Sequence, residues 1–311
     1  MSKVIANGVL FTILLIMVLS PSIEAKSDFE RTLDSLFVVA SSAEIQYQDL
    51  RDSAMNTIAA HGANAVPYLI EKFATKSSWD RWTVIWIFQR IGSPAVPLLL
   101  EALKRPDDLV VQRVAWALGD IKDSGAVDGL IGVCGHTCWQ VRDEAIASLG
   151  RIGNARASET VRSALQDTIG QVRKSAVVSC GQLKVTAAVR ELVHALGDDF
   201  YGARLTAVTS LLQLDTAAVM AALADSLESP DAGIGHMACR ALGKIGNEEA
   251  LGLLSGQLGS RDPLRRTHAA LALTQADPKD ECGFLAMYLE QETDRLARLQ
   301  VQSALRPVAS E

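Results

Sequence analysis

The chain has little aromatic content, 5% of 311 residues, and no excess of positive charge, its formal net charge being −6. Few aromatics argue against a β-sandwich or barrel, whose strands draw on Tyr, Trp and Phe, and favour helices packed through Ala, Leu and Val. A net negative charge has the wrong sign for a protein that neutralises phosphates, which sets nucleic acid aside as a partner. Cysteine is sparse as well, at five residues, and an odd number cannot all pair within one chain.

What the chain does have is a period. The stretch QVRDEAIASLG at Gln140 to Gly150 returns as QVRKSAVVSCG at Gln171 to Gly181, with Val141 over Val172, Arg142 over Arg173, Ala145 over Ala176 and Gly150 over Gly181, 31 residues apart. The Ala column continues through Ala207, Ala238 and Ala269, and four positions on run Leu118, Leu149, Cys180, Leu211, Leu242 and Leu273. A second set holds Leu99, Leu130, Val161, Leu192, Leu223, Leu254 and Leu285, with Leu103, Cys134, Leu165, Leu196, Leu227, Leu258 and Leu289 four residues later. Two i, i+4 stripes per unit define two amphipathic helices, and stripes in fixed phase bury a continuous core when units stack side by side. GANAVPYLIEKF at 62–73 and GSPAVPLLLEAL at 92–103 show the joint, a Gly suited to ending one helix followed by a Pro in the first turn of the next.

The segment before the repeats divides in two. Lys3, the apolar run Val9 to Leu19, and small residues through Ala25 form a secretory signal pattern over residues 1–25, with cleavage expected after Ala25 or Ser22. The protein is therefore expected to be exported, periplasmic or extracellular, touching a membrane only if that segment stays uncleaved. Phe29, Leu33, Leu36 and Phe37 stand at helical spacing outside the period, so residues 26–42 read as an N-terminal cap helix and 43–311 as the repeat solenoid.

The V-R-x-x-A-x-x-x-L-G strings at Val141 to Gly150 and Val172 to Gly181, the L-G-K-I-G at Leu242 to Gly246 and the A-V-P-x-L segments at Ala65 and Ala95 resemble the bacterial HEAT-like repeats of phycobilin lyase subunits. That resemblance implies an all-α, right-handed α-solenoid of about nine two-helix repeats, the last without its second helix, and with the second helix of each unit on the concave face. It also implies an alternative to binding, a lyase- or hydroxylase-type enzyme or enzyme subunit. Deoxyhypusine hydroxylase, of the same kind, holds two irons through His-Glu dyads. None of the five histidines here is followed by Glu. No catalytic motif, metal site or cofactor is expected.

The remaining candidates are weighed against packing. Arg142, Arg173, Arg204 and Arg266 share a column, and Asp167 and Asp198 lie six residues before two of them, as in a structural Asp–Arg ladder between repeats. Cys134 and Cys138 bracket Gly-His-Thr and admit a small disulfide, three metal ligands for which no nearby spacing supplies a fourth, or plain packing. The string Gly233 to Ala238 imitates a dinucleotide fingerprint but has no strand before it. All five tryptophans, Trp79, Trp82, Trp86, Trp116 and Trp139, fall in the early repeats. Trp82, Trp86, Trp116 and Trp139, with Arg190 and His194 on a second helix, are the expected contacts for a protein or peptide partner on the concave face, the alternative for the rings being that they fill gaps between early units. The expected function is an exported, non-catalytic interaction scaffold.

Overall fold

The computed structural model describes residues 26–214, 216–277, 279 and 283–305. The signal pattern at 1–25 and Cys282 lie outside the described residues. Among them are eighteen α-helices and no strand. The cap, α1 (Asp28–Ala40), opens on Ser27, whose hydroxyl accepts from the Glu30 amide while the Glu30 carboxylate accepts from the Ser27 amide. It buries Leu33, Phe37 and Ala40.

Eight helix pairs follow: α2 (Arg51–Ala60) and α3 (Val66–Lys72), α4 (Ser78–Ile91) and α5 (Val96–Ala102), α6 (Asp108–Ile121) and α7 (Val127–Val133), α8 (Trp139–Ile152) and α9 (Ser158–Ser163). The series continues with α10 (Gly170–Gln182) and α11 (Val189–His194), α12 (Tyr201–Leu211) and α13 (Thr216–Leu227), α14 (Ala232–Ile245) and α15 (Glu248–Gln257), α16 (Pro263–Ala276) and α17 (Phe284–Gln291). A ninth first helix, α18 (Arg295–Ala304), ends the described chain without a partner. The two expected stripes are the core. Ala145, Ala176, Ala207, Ala238 and Ala269 are fully buried, as are Leu99, Leu130, Val161, Leu192, Leu223 and Leu254.

The joint between the helices of a unit has a fixed backbone requirement. Gly92, Gly153 and Gly246 take φ of 69°, 76° and 62°, and Lys122 and Lys184 occupy the same column with φ of 59° and 53°. The left-handed turn is thus imposed by the architecture, and two units adopt it with a side chain that disfavours it.

The two rows of helices differ in how closely neighbours approach. In the first-helix row the contacts are small. A Cβ on Gly119 of α6 would lie 2.6 Å from the Ser148 Cβ of α8, and one on Gly150 would lie 2.8 Å from the Ser179 Cβ of α10. On Gly181 it would meet the Ser210 Cα of α12 at 3.0 Å, and on Gly243 of α14 the Ala272 carbonyl oxygen of α16 at 2.8 Å. The buried Ser148 and Ser179 hydroxyls donate across the row to the Ala115 and Ile146 carbonyls at 2.8 and 2.9 Å. In the short second-helix row the spacers are larger; Leu100 of α5 and Leu103 just after it reach toward Gly129 of α7, and the backbones share much less contact. Helix separation follows the size of the side chains between them, and a stack of such pairs curves toward its closer row. From α6 onward the first helices are therefore the closer row, through their Gly, Ser and Ala column.

Candidate partner-binding face

On α4, Trp79, Trp82 and Trp86 occupy i, i+3 and i+7 and form one stripe. Trp116 of α6 comes from the next unit. Trp82 stacks on Trp86 with ring centroids 6.1 Å apart and meets Trp116 edge-on at 4.6 Å; Trp79 meets Trp86 edge-on at 5.6 Å. The Arg51 guanidinium lies 5.6 Å from the Trp79 ring. Trp86 and Trp116 are half-buried against the core, while Trp82 keeps 44% of its surface exposed. The four rings support one another, so Trp82 is held in place without being covered. Trp139 stands apart at the start of α8, with no ring contact to the other four.

Beside the rings a cleft of about 360 Å³ is lined by Arg81, Leu109, Gln112, Arg113, Trp116 and Glu144. Most charges along this face are paired within it. Arg90 binds Asp52 and Asn56, each at 2.9 Å, and Arg151 binds Asp120 at 3.2 Å and Glu144 at 2.6 Å. Burial raises the pKa of Asp120, Asp143 and Glu144 above the usual carboxylate range.

The other candidates fall elsewhere. Arg190 and His194 sit on the short helix α11, in the layer opposite the rings, and are not brought together with them. The rings belong to the first-helix row and these two side chains to the second. Arg142 grips Asp167 with two bonds of 2.8 and 2.9 Å, and Arg173 grips Asp198 with two of 2.7 and 2.8 Å. Each pair links a first helix to the loop before the next one. Asp167 also accepts from Arg173 through its main-chain carbonyl at 2.9 Å, so one residue bridges two arginines. Arg266 pairs with the buried Glu292 at 2.8 and 2.9 Å. Arg204 has no carboxylate among the described residues: Ser229 occupies the position corresponding to Asp167 and Asp198, and the Arg204 Nε is buried without a partner.

The disulfide read as one option for Cys134 and Cys138 is not formed. The Cys134 Sγ donates back to the Leu130 carbonyl at 3.3 Å, the Cys138 Sγ donates to Gln140 Oε1 at 3.0 Å, and both are free. Burial pushes the Cys134 and Cys180 thiols up to about 12. Gly233 to Ala238 forms the first turns of α14, capped by Asp231. One contact went unforeseen. His236 and His268 stack with ring centroids 3.8 Å apart, and burial, joined by the neighbouring ring, holds His268 down at about 4. Their separation of 32 residues, one more than the period, was the available signal. Among the described residues, no group of three or more His, Cys, Asp or Glu side chains is placed to hold a metal ion, and no single helix is long and apolar enough to cross a membrane.

The stacked pairs and their repeated joints define a class, the α-solenoid built of two-helix repeats. A family model for HEAT repeats matches residues 66–138, 96–179, 127–212 and 221–306, and the chain belongs to that family. No curated protein matches it. Among solved structures it is similar to YibA of E. coli, with 18% identity, 85% of this chain and 97% of that one covered, and a TM-score of 0.50. It is also similar to the complex of CpcE and CpcF of phycocyanin lyase from Nostoc sp. PCC7120, with 18% identity, 77% and 93% covered and a TM-score of 0.42. Human deoxyhypusine hydroxylase in complex with glycerol is similar at 20% identity, 78% and 95% covered, with a TM-score of 0.35. These likenesses concern the fold alone.

Proposed function

We propose that this chain is an exported, non-catalytic scaffold that binds a protein or peptide partner through the concave face of its HEAT solenoid, with Trp82 as the central anchor. HEAT repeats generally mediate protein interactions, which supports the class. The observation that carries the reading is Trp82 itself, a large apolar ring left 44% exposed and braced by Trp86 and by Trp116, which lines the neighbouring cleft. Rings of this kind, rigid and half-desolvated before any partner arrives, supply binding energy at small entropic cost. Export rests on the signal pattern of residues 1–25, and N-terminal sequencing of the mature protein tests it; a retained Met1 contradicts it.

Binding is tested by comparing capture of a specific partner by the wild-type chain and by Trp82→Ala. Because Trp82 is largely outside the core, the variant is expected to fold as the wild type does and to weaken capture by roughly 2 kcal/mol, about thirtyfold. Unchanged capture by a folded Trp82→Ala removes the anchor.

A further inference from the structure

Two arginines line the cleft beside the rings, Arg81 and Arg113. Arg113 donates from Nη1 to the Thr75 carbonyl at 2.9 Å, and Arg81 donates to the Lys76 carbonyl at 2.9 Å and to the Ser78 hydroxyl at 2.7 Å. Neither has a carboxylate within ion-pair distance among the described residues. Arg90 and Arg151 on the same face are paired, and Arg142, Arg173 and Arg266 grip their carboxylates with two bonds each. Arg81 and Arg113 both line the cleft, together with the Trp116 ring that Trp82 touches.

Other negative groups nearby are engaged elsewhere. Asp107 accepts from the Leu109 and Val110 amides as the cap of α6, Asp80 accepts from Thr75, and the Glu144 carboxylate is bound to Arg151. Burial and the charge on Arg81 hold Arg113 below its ordinary range, with Asp107 opposing. A guanidinium has five N–H donors in a planar fork that suits a carboxylate, and these two use one and two donors. The protein as a whole is acidic, so the cleft is a local cationic site on a negatively charged chain.

We propose that the cleft between α4 and α6 takes an acidic side chain of the partner, with Arg81 and Arg113 on its carboxylate and Trp82 and Trp116 under an adjacent aromatic or large apolar residue. The partner is thus a peptide segment in which Asp or Glu neighbours an aromatic residue. This rests on the reading of the concave face as a protein-binding surface.

The test is a titration of the mature chain, followed by tryptophan fluorescence, with a blocked Glu-Phe-Glu peptide and its Gln-Phe-Gln counterpart. The acidic peptide is expected to bind about tenfold or more tightly than the neutral one, with a preference that shrinks as salt rises. Arg81→Glu with Arg113→Glu is expected to abolish the preference, and Arg81→Gln alone serves if the double variant does not fold. Trp82→Ala is expected to weaken both peptides alike. Equal binding of the two peptides, or a preference that survives loss of the arginine charges, overturns the acidic assignment, while the Trp82→Ala result still reports separately on the anchor. Tighter binding of inorganic phosphate or an oligonucleotide in the same cleft overturns it too.

Discussion

Replacing Gly119 or Gly150 with Ala tests how closely the first-helix row is packed. An ordinary van der Waals contact of a Cβ begins near 3.4 Å, and the added methyl would lie 2.6 Å from Ser148 Cβ in the first case and 2.8 Å from Ser179 Cβ in the second. Neither obstacle is the free end of a flexible chain, since both are Cβ atoms fixed to a neighbouring helix, so the helices must part by several tenths of an ångström. Overpacking of this sort costs about 1–3 kcal/mol, and Ala in place of Gly within a helix returns about 0.5–1 kcal/mol. The net loss runs from about 0 to 2.5 kcal/mol per site and centres near 1 kcal/mol. Partner size can be exchanged: Gly119→Ala combined with Ser148→Gly is expected to be less destabilised than the sum of the two single variants, with coupling of about 1 kcal/mol. Guanidinium denaturation followed by far-ultraviolet circular dichroism measures all three. If Gly119→Ala and Gly150→Ala match or exceed the wild type in stability, the first-helix row is not closely packed.

The short-row glycines give the opposite expectation: Gly132, Gly252 and Gly256 face open space, so Ala at all three is expected to add about 2 kcal/mol in the same denaturation assay, whereas Gly129→Ala would meet Leu100 and add little or nothing. Lys122→Gly and Lys184→Gly, at left-handed joints, are each expected to stabilise by about 1 kcal/mol, measured as a rise in melting temperature. In the arginine column, Arg173→Ala leaves a largely buried Asp198 unpaired and is expected to cost about 3 kcal/mol, against about 1 kcal/mol for Arg204→Ala, which has no carboxylate to strand; equal losses would contradict the ladder. The carboxyl of Glu292 is held down at about 2 by Arg266, so its contribution is complete above the unfolded value near 4.5 and is lost as pH falls toward 2; Glu292→Gln is expected to flatten that part of the stability profile. His268, held down at about 4, acts in the same direction over a higher window, because the unfolded chain takes up a proton between about 6.5 and 4 that the folded chain refuses, and His268→Gln is expected to remove that loss.

The repeat was legible because its causes are local and periodic. Apolar stripes at i and i+4 and Gly92, Gly153 and Gly246 at the joints each leave a mark on the sequence. The arginine column and its carboxylates Asp167 and Asp198 were visible for the same reason, while the pairing was not: Asp167 lies six residues before Arg173 but gives its carboxylate to Arg142, and only the path of the chain between units decides that. The close first-helix row was not visible, because distances between helices set it and Gly119 against Ser148 is a contact between residues 29 apart. Arg190 and His194 were read together with the tryptophans, and only the path of the chain shows that they stand in the other row. The Trp82, Trp86 and Trp116 cluster was foreseen as a region, while the bare guanidiniums of Arg81 and Arg113 depend on which carboxylates lie within reach, which spacing does not show.

The central claim is that a partner lies on the first-helix face at the tryptophan cluster, and site-specific photo-crosslinking tests it most directly. With a photoreactive side chain placed at Trp82 in one variant and at His194 in another, a specific partner adduct is expected from position 82 and none from position 194. An adduct from position 194 with none from 82 would contradict it.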